Sequence, residues 1–158
     1  MADIKGAYGS PTTITITLTS LAAGAAREGA EVDNSSNKFL DALVWVQAKG
    51  DNSGSAGNSL WKIYAWSSPD STYYPDAVTG ADAAITLNDP TQLKLIGVVY
   101  ADAINTSFKS DGFSVAAAFG GKLPKYWGIV FVNDTSFPLT GTGGDHIVTY
   151  QGIYATAA

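Results

Sequence analysis

The chain has 158 residues, no cysteine, one histidine, 15% charged residues and a formal net charge of −5. That length fits one domain with a core of its own, and the missing cysteines exclude disulfides, thiolate metal sites and a cysteine nucleophile. The nine basic residues stand singly, which offers no clustered cationic surface for nucleic acid, and no apolar run approaches the roughly 20 residues of a membrane-spanning helix.

Glycine, alanine, threonine and serine are abundant, aromatic residues reach 11%, and glutamate is nearly absent; this balance favours strands over helices. The start, Met-Ala-Asp-Ile-Lys, has neither the basic head nor the apolar stretch of a secretory signal. Residues 1–11 read as a short N-terminal arm. In residues 12–19, Ile14, Ile16 and Leu18 alternate with threonines at the period of a half-buried strand. A small-residue stretch follows, then a weakly alternating segment, 27–34, that ends in the turn-rich Asn34-Ser-Ser-Asn37. Residues 40–49 are apolar on both faces at Val44-Trp45-Val46, the pattern of a central strand.

Residues 51–59 form a loop on composition, and 60–67 (Leu-Trp-Lys-Ile-Tyr-Ala-Trp-Ser) a strand with aromatics on both faces. The longest irregular stretch is 68–92, with Pro69, Pro75 and Pro90 and a possible helical turn at 81–87; loops of this length usually serve function or an interface. Strands follow at 93–102 and 107–119, the second kinked at Asp111-Gly112. After the turn at 120–124 come the most hydrophobic strand, 125–133, a turn at 140–145, and a final strand over 146–155. The expected architecture is all-β: one domain, 1–158, built as a two-sheet sandwich of about eight antiparallel strands. A jelly roll is the first choice and an immunoglobulin-like sandwich the second.

Few residues suggest chemistry. His146 follows Gly-Gly-Asp at a strand start, where a polar surface residue is unremarkable, and no nucleophile elbow accompanies it. Asp51, Asp70, Asp76, Asp82, Asp89 and Asp145 fall in Gly/Asn/Pro-rich loops. Paired carboxylates suit a glycosidase, but aspartate in turns ordinarily caps backbone N–H groups. Asp70, Asp76, Asp82 and Asp89, with Asn88, supply hard oxygen ligands for Ca²⁺ without the spacing of a calcium loop. No catalytic, cofactor-binding or metal-binding residue is assigned, and the chain is not expected to be an enzyme. Trp61, Tyr64, Trp66, Tyr73 and Tyr74 suggest a sugar platform, although Trp61 and Trp66 point to opposite faces of one strand. Asn34, Asn105 and Asn133 head glycosylation sequons expected by chance in a Ser/Thr-rich chain. Gly141–Gly144 lacks the Lys-Ser/Thr of a phosphate loop and reads as a turn.

Several segments in order carry a resemblance. They are Thr19-Ser20-Leu21-Ala22, Arg27-Glu28-Gly29-Ala30-Glu31-Val32-Asp33-Asn34-Ser35-Ser36-Asn37, Phe39-Leu40-Asp41-Ala42-Leu43-Val44 and Tyr74-Pro75-Asp76. Further on come Phe113-Ser114-Val115-Ala116-Ala117-Ala118-Phe119 through Leu123-Pro124, then Trp127-Gly128, and Gly143-Gly144-Asp145-His146 through Ile153-Tyr154-Ala155-Thr156. Together these resemble the small auxiliary (decoration or cement) virion proteins of tailed bacteriophages. The resemblance implies a place on the virion capsid surface after synthesis in the host cytoplasm. It also implies binding to the major capsid protein and self-association as a homotrimer, with no catalytic residues, no nucleic acid and no membrane. Exposed aromatics of 61–74 and the arm are the expected contacts. A carbohydrate-binding module on the virion or tail is the alternative, and a tail or neck structural protein the second.

Overall fold

A computed structural model describes residues 3–54 and 59–157. Part of the loop expected at 51–59 and the first two residues of the arm lie outside the described residues. The strands among the described residues are β1 (Ile4–Tyr8), β2 (Thr12–Thr13), β3 (Ala26–Glu28), β4 (Val32–Asp33), β5 (Asp41–Lys49), β6 (Leu60–Ser68), β7 (Ala83–Ile85), β8 (Lys94–Tyr100), β9 (Ser107–Lys109), β10 (Phe113–Ser114), β11 (Tyr126–Asp134) and β12 (Ile147–Ala157). One helical turn, α1 (Val115–Ala118), follows β10.

Two antiparallel sheets result. In the first, β12 lies between β5 and the pair β1 and β2, while β9 and β10 flank the far side of β5. In the second the order is β7-β3-β11-β6-β8, with β4 beside β11. Apart from β7, the strand pairs β1/β2, β3/β4 and β9/β10 each occupy one position, leaving eight. Numbered along the chain, these run 1-8-3-6 in one sheet and 2-7-4-5 in the other. That alternation between layers is a jelly roll.

The side-chain period decides the core. Ala42, Val44, Val46 and Ala48 of β5 face Trp61, Ile63 and Ala65 of β6 and Trp127, Ile129 and Phe131 of β11, all essentially without exposure. Alternation on 12–19 also holds, with Ile14 and Leu18 buried, but only Thr12–Thr13 joins a ladder. Beyond it the chain crosses between the sheets, taking single bonds from Ile14 N–H to the Val148 carbonyl and from Ala30 N–H to that of Thr15.

The segment between β6 and β8 crosses the outside of the second sheet, pairs with β3 as β7, and returns. Beneath it lies a second core of Ala26, Trp66, Val78, Leu93 and Val130. Strand β11 is therefore apolar on both faces because both faces are covered. Close packing there leaves no room for side chains at Gly128, where a Cβ would sit 2.4 Å from the Trp66 ring.

Two expectations need correction. The helical turn expected at 81–87 is instead strand β7, because β3 offers a free edge there. The strand expected through 107–119 ends at Ser114, whose side chain accepts from Ala117 N–H and caps α1, while Asp41 accepts from Ala116 N–H. Within the arm, β1 pairs with the end of β12 from Ile4↔Ala157 to Tyr8↔Ile153.

Candidate functional site

The residues first considered for chemistry are spread through the fold. Asp70 accepts from the backbone of Tyr73 and Thr72, and Asp89 from the side chain and N–H of Thr91. Those bonds hold both carboxyls below the usual carboxylate range. Asp76 accepts from Asn88 and Asp89 N–H, and Asp51 from Asn52 N–H. Asp82 binds Arg27 and Thr17. Asp51, Asp70 and Asp89 perform the local capping roles of turn aspartates, Asp76 and Asp82 tie more distant segments together, and among the described residues no group of three or more His, Cys, Asp or Glu is placed to hold a metal.

His146 is half-buried, with Nε2 3.0 Å from the Thr140 carbonyl, which can only accept, so Nε2 donates. Asp145 accepts from the Thr140 hydroxyl, drawing the same threonine to the turn. Asn34 and Asn133 are buried and bond the backbone internally, while Asn105 is exposed with φ +50°.

The sugar platform is not assembled. Trp61 and Trp66 do point to opposite faces, but both are buried, one in each core. Tyr64 and Tyr74 pack against the second core, and of the five aromatics only Tyr73 is exposed. Residues 61–74 therefore do not form the exposed aromatic contact expected of them. The physical reason is the overlying loop, which covers the outward parity of β6.

What stands open is the outward face of the first sheet. Parity sends Leu43, Trp45 and Gln47 of β5 outward, beside Gln151, Thr149 and Ile147 of β12. Thr13 extends the face across β2, and Tyr8 and Ile4 across β1. Ile147 is 45% exposed, Tyr8 64% and Ile4 80%, while Leu43, Trp45 and Ile153 are half-buried.

Charge on this face is confined to its margins. Asp41 is held by the Ser114 hydroxyl and by Ala116 and Ala42 N–H. Lys49 and Lys109 stand at the other end, where Gln47 pairs with Lys109. A narrower apolar stripe, Leu95, Val98 and Tyr100, lies on the exposed side of β8.

Trp45 is the aromatic centre of the open face. Gly112 packs on its indole so closely that a Cβ there would lie 2.9 Å from the ring. A hollow of about 180 Å³ beside it is lined by Gln47, Lys109, Ser110, Ile147 and Thr149. Of the larger hollows, the two of about 480 Å³ are lined by no titratable side chain in one case and only by His146 in the other, one of about 410 Å³ by Lys122, and one of about 230 Å³ by Glu31, Asp33 and Tyr150.

The sequence carried a signal for this face. Strict parity over 41–49 separates Leu43-Trp45-Gln47 from Val44-Val46, but reading the strand as central hid the fact that one of its faces is uncovered. The chain matches no known protein-family model and no curated protein.

Proposed function

We propose that this chain is a structural protein of a tailed-phage virion, a capsid decoration or cement protein that docks on the major capsid protein lattice and stabilises the shell. The observation that carries the reading is the unequal treatment of the two sheets. One outward face is covered by the chain's own loop over a second core. The other stays open, low in charge and centred on a half-buried tryptophan. Exposed apolar side chains gathered on one open face, here Ile147, Tyr8 and Ile4 among neutral polar neighbours, mark interaction sites.

The dimensions suit docking. The eleven residues of β12 span about 37 Å, and four strand positions about 19 Å. Four positions hold over residues 147–153 and two beyond, a footprint of about 600 Å², at the lower end of the roughly 600–1,000 Å² each partner contributes to a standard interface. A protein that binds the assembled lattice and not its free subunits stabilises the assembly by mass action, about 2.7 kcal/mol at a hundredfold excess over Kd. Self-association, as a homotrimer in this reading, multiplies that effect through multivalency.

The test is cosedimentation of the purified protein with expanded shells and with free capsid subunits. Binding to shells alone is expected. Trp45→Ala should weaken it roughly thirtyfold, the size of an interface hot spot of about 2 kcal/mol. No shell binding, or a Trp45→Ala protein that binds as well as the parent, sinks the reading. A tail or neck position would use the same face and would appear as binding to tails in place of shells.

The Trp45 hollow favours one second reading, a carbohydrate-binding module, because an aromatic ring flanked by Gln47, Lys109 and Thr149 suits a sugar ring. Its volume of about 180 Å³ is below the roughly 300–1,000 Å³ of most small-molecule sites, so it ranks second. A glycan-array signal lost in Trp45→Ala would raise it.

A further inference from the structure

Beyond Leu40 the first sheet narrows to a two-stranded ribbon. Pairing of β12 with β5 stops at Ile153↔Asp41, and residues 154–157 keep only β1 as a neighbour. The Gly152 carbonyl accepts from Gly9 N–H and the Ile153 carbonyl from Leu40 N–H. Even-numbered residues of β12 therefore turn their backbone groups toward β1, and odd-numbered ones toward the side that β5 occupies lower down.

Ala155 thus points its N–H and C=O into the vacant continuation of the β5 position. By the same alternation Lys5 and Ala7 bond Thr156 and Tyr154, while Gly6 and Tyr8 turn their backbone groups to the opposite edge. Among the described residues, neither Gly6 nor Ala155 has a hydrogen-bond partner for these groups.

The ribbon's outer face, Ile4, Gly6, Tyr8, Ile153 and Ala155, has no charge. Lys5 lies on the other face with Tyr154 and Thr156. Two-stranded ribbons are marginal alone in water, and an unguarded edge is a template for strand addition. Copies carrying a formal charge of −5 each repel one another generally. Here two of them can approach through neutral, apolar surface.

We propose that the occupant of this edge is a second copy of the chain. The outer edge of β1 in one copy pairs with the vacant edge of β12 in the next, joining their first sheets head to tail. The edges are similar in length, with five residues in β1 and four, 154–157, in the vacant stretch of β12. A two-fold contact would use one edge twice and leave the other open. Head-to-tail contacts closing into a ring satisfy both edges in every copy. The inference rests on the self-association part of the reading above and not on shell binding, so it is tested in solution.

Gly6→Pro removes the outward N–H of β1 without touching its bonds to β12, and an added Cβ at Gly6 meets nothing within 4 Å. Ala155→Pro does the same for β12. Sedimentation velocity of the full chain at about 0.1–1 mM, the range a small interface requires, should show association. Each variant alone should be monomeric, and their 1:1 mixture should form a dimer, because each retains the edge the other lacks.

A monomeric parent, a Gly6→Pro chain that assembles by itself, or a mixture that stays monomeric overturns the proposal. Circular dichroism and the unfolding midpoint establish that the variants are folded. Should a proline variant fail that check, Ile4→Lys and Ala155→Lys place a charge on each edge and must give the same pattern. Shell binding lost with assembly intact would count against the docking face alone.

Discussion

Glu28 is the one charged side chain fully withdrawn from solvent among the described residues. Its two carboxyl oxygens accept from Thr79 N–H, the Thr79 hydroxyl and Gly80 N–H, at 2.6–3.2 Å. A turn fifty residues away is thereby fastened to β3, with Gly80 at φ +82° allowing the tight return. Glu28→Ala would take the acceptor from two donors of the exposed Thr79 and one of the half-buried Gly80, and a donor left dry costs about 1–3 kcal/mol. We expect a loss of about 1–3 kcal/mol in urea unfolding; a change under about 1 kcal/mol would mean that water replaces the carboxylate. Asn133 works in the same way, its amide donating to the Leu21, Ala22 and Phe137 carbonyls. The indole N–H groups of Trp61, Trp66 and Trp127 are buried without a hydrogen-bond partner. Each ring meets another aromatic in a T-shaped arrangement at 5.3–5.8 Å, a geometry favoured by the ring quadrupole. Such residues were legible as apolar or polar. Their partners, up to 112 positions away along the chain, were not.

At the scale of elements, the connection between β6 and β8 is the part of this jelly roll that does most to separate its two surfaces. Three things hold it: the β7–β3 ladder, the Glu28 clasp, and Asp82 against Arg27 and Thr17. Burial alone would raise the Asp82 pKa, but the hydrogen bonds from Arg27 and Thr17 outweigh it and hold the carboxyl below the usual carboxylate range. A carboxyl lowered in the folded state contributes stability above its unfolded pKa of about 3.9 and loses it as pH falls through the folded value. Asp82→Asn should therefore cost about 1–2 kcal/mol at pH 7, and the gap to the parent should narrow in unfolding curves as the pH falls below about 3.9. A gap that persists in acid would show that shape, not charge, does the holding. Sequence placed a long irregular segment here. Its pairing with β3 escaped notice because Ala83–Ile85 is too short to show a period.

For the whole molecule, the two cores share β6 and β11, so the loop-covered core cannot separate from the inter-sheet core without opening the central ladder. Unfolding followed by tryptophan fluorescence, which senses Trp66 in one core and Trp61 and Trp127 in the other, should coincide with unfolding followed by far-ultraviolet circular dichroism. An early fluorescence transition would show the loop leaving first. The all-β class, the two-sheet sandwich and the count of about eight strand positions were determined by the sequence alone. Period-two alternation is a local property of the backbone, readable wherever apolar and polar residues take turns. Which outward face is covered was decided only by the tertiary structure. Trp45 and Trp66 both sit on outward positions of central strands and are indistinguishable by parity, yet one lies under a second core and the other on an open face. The difference arises from where a distant segment comes to rest, and that depends on long-range contacts such as Glu28 with Thr79, which no local pattern encodes.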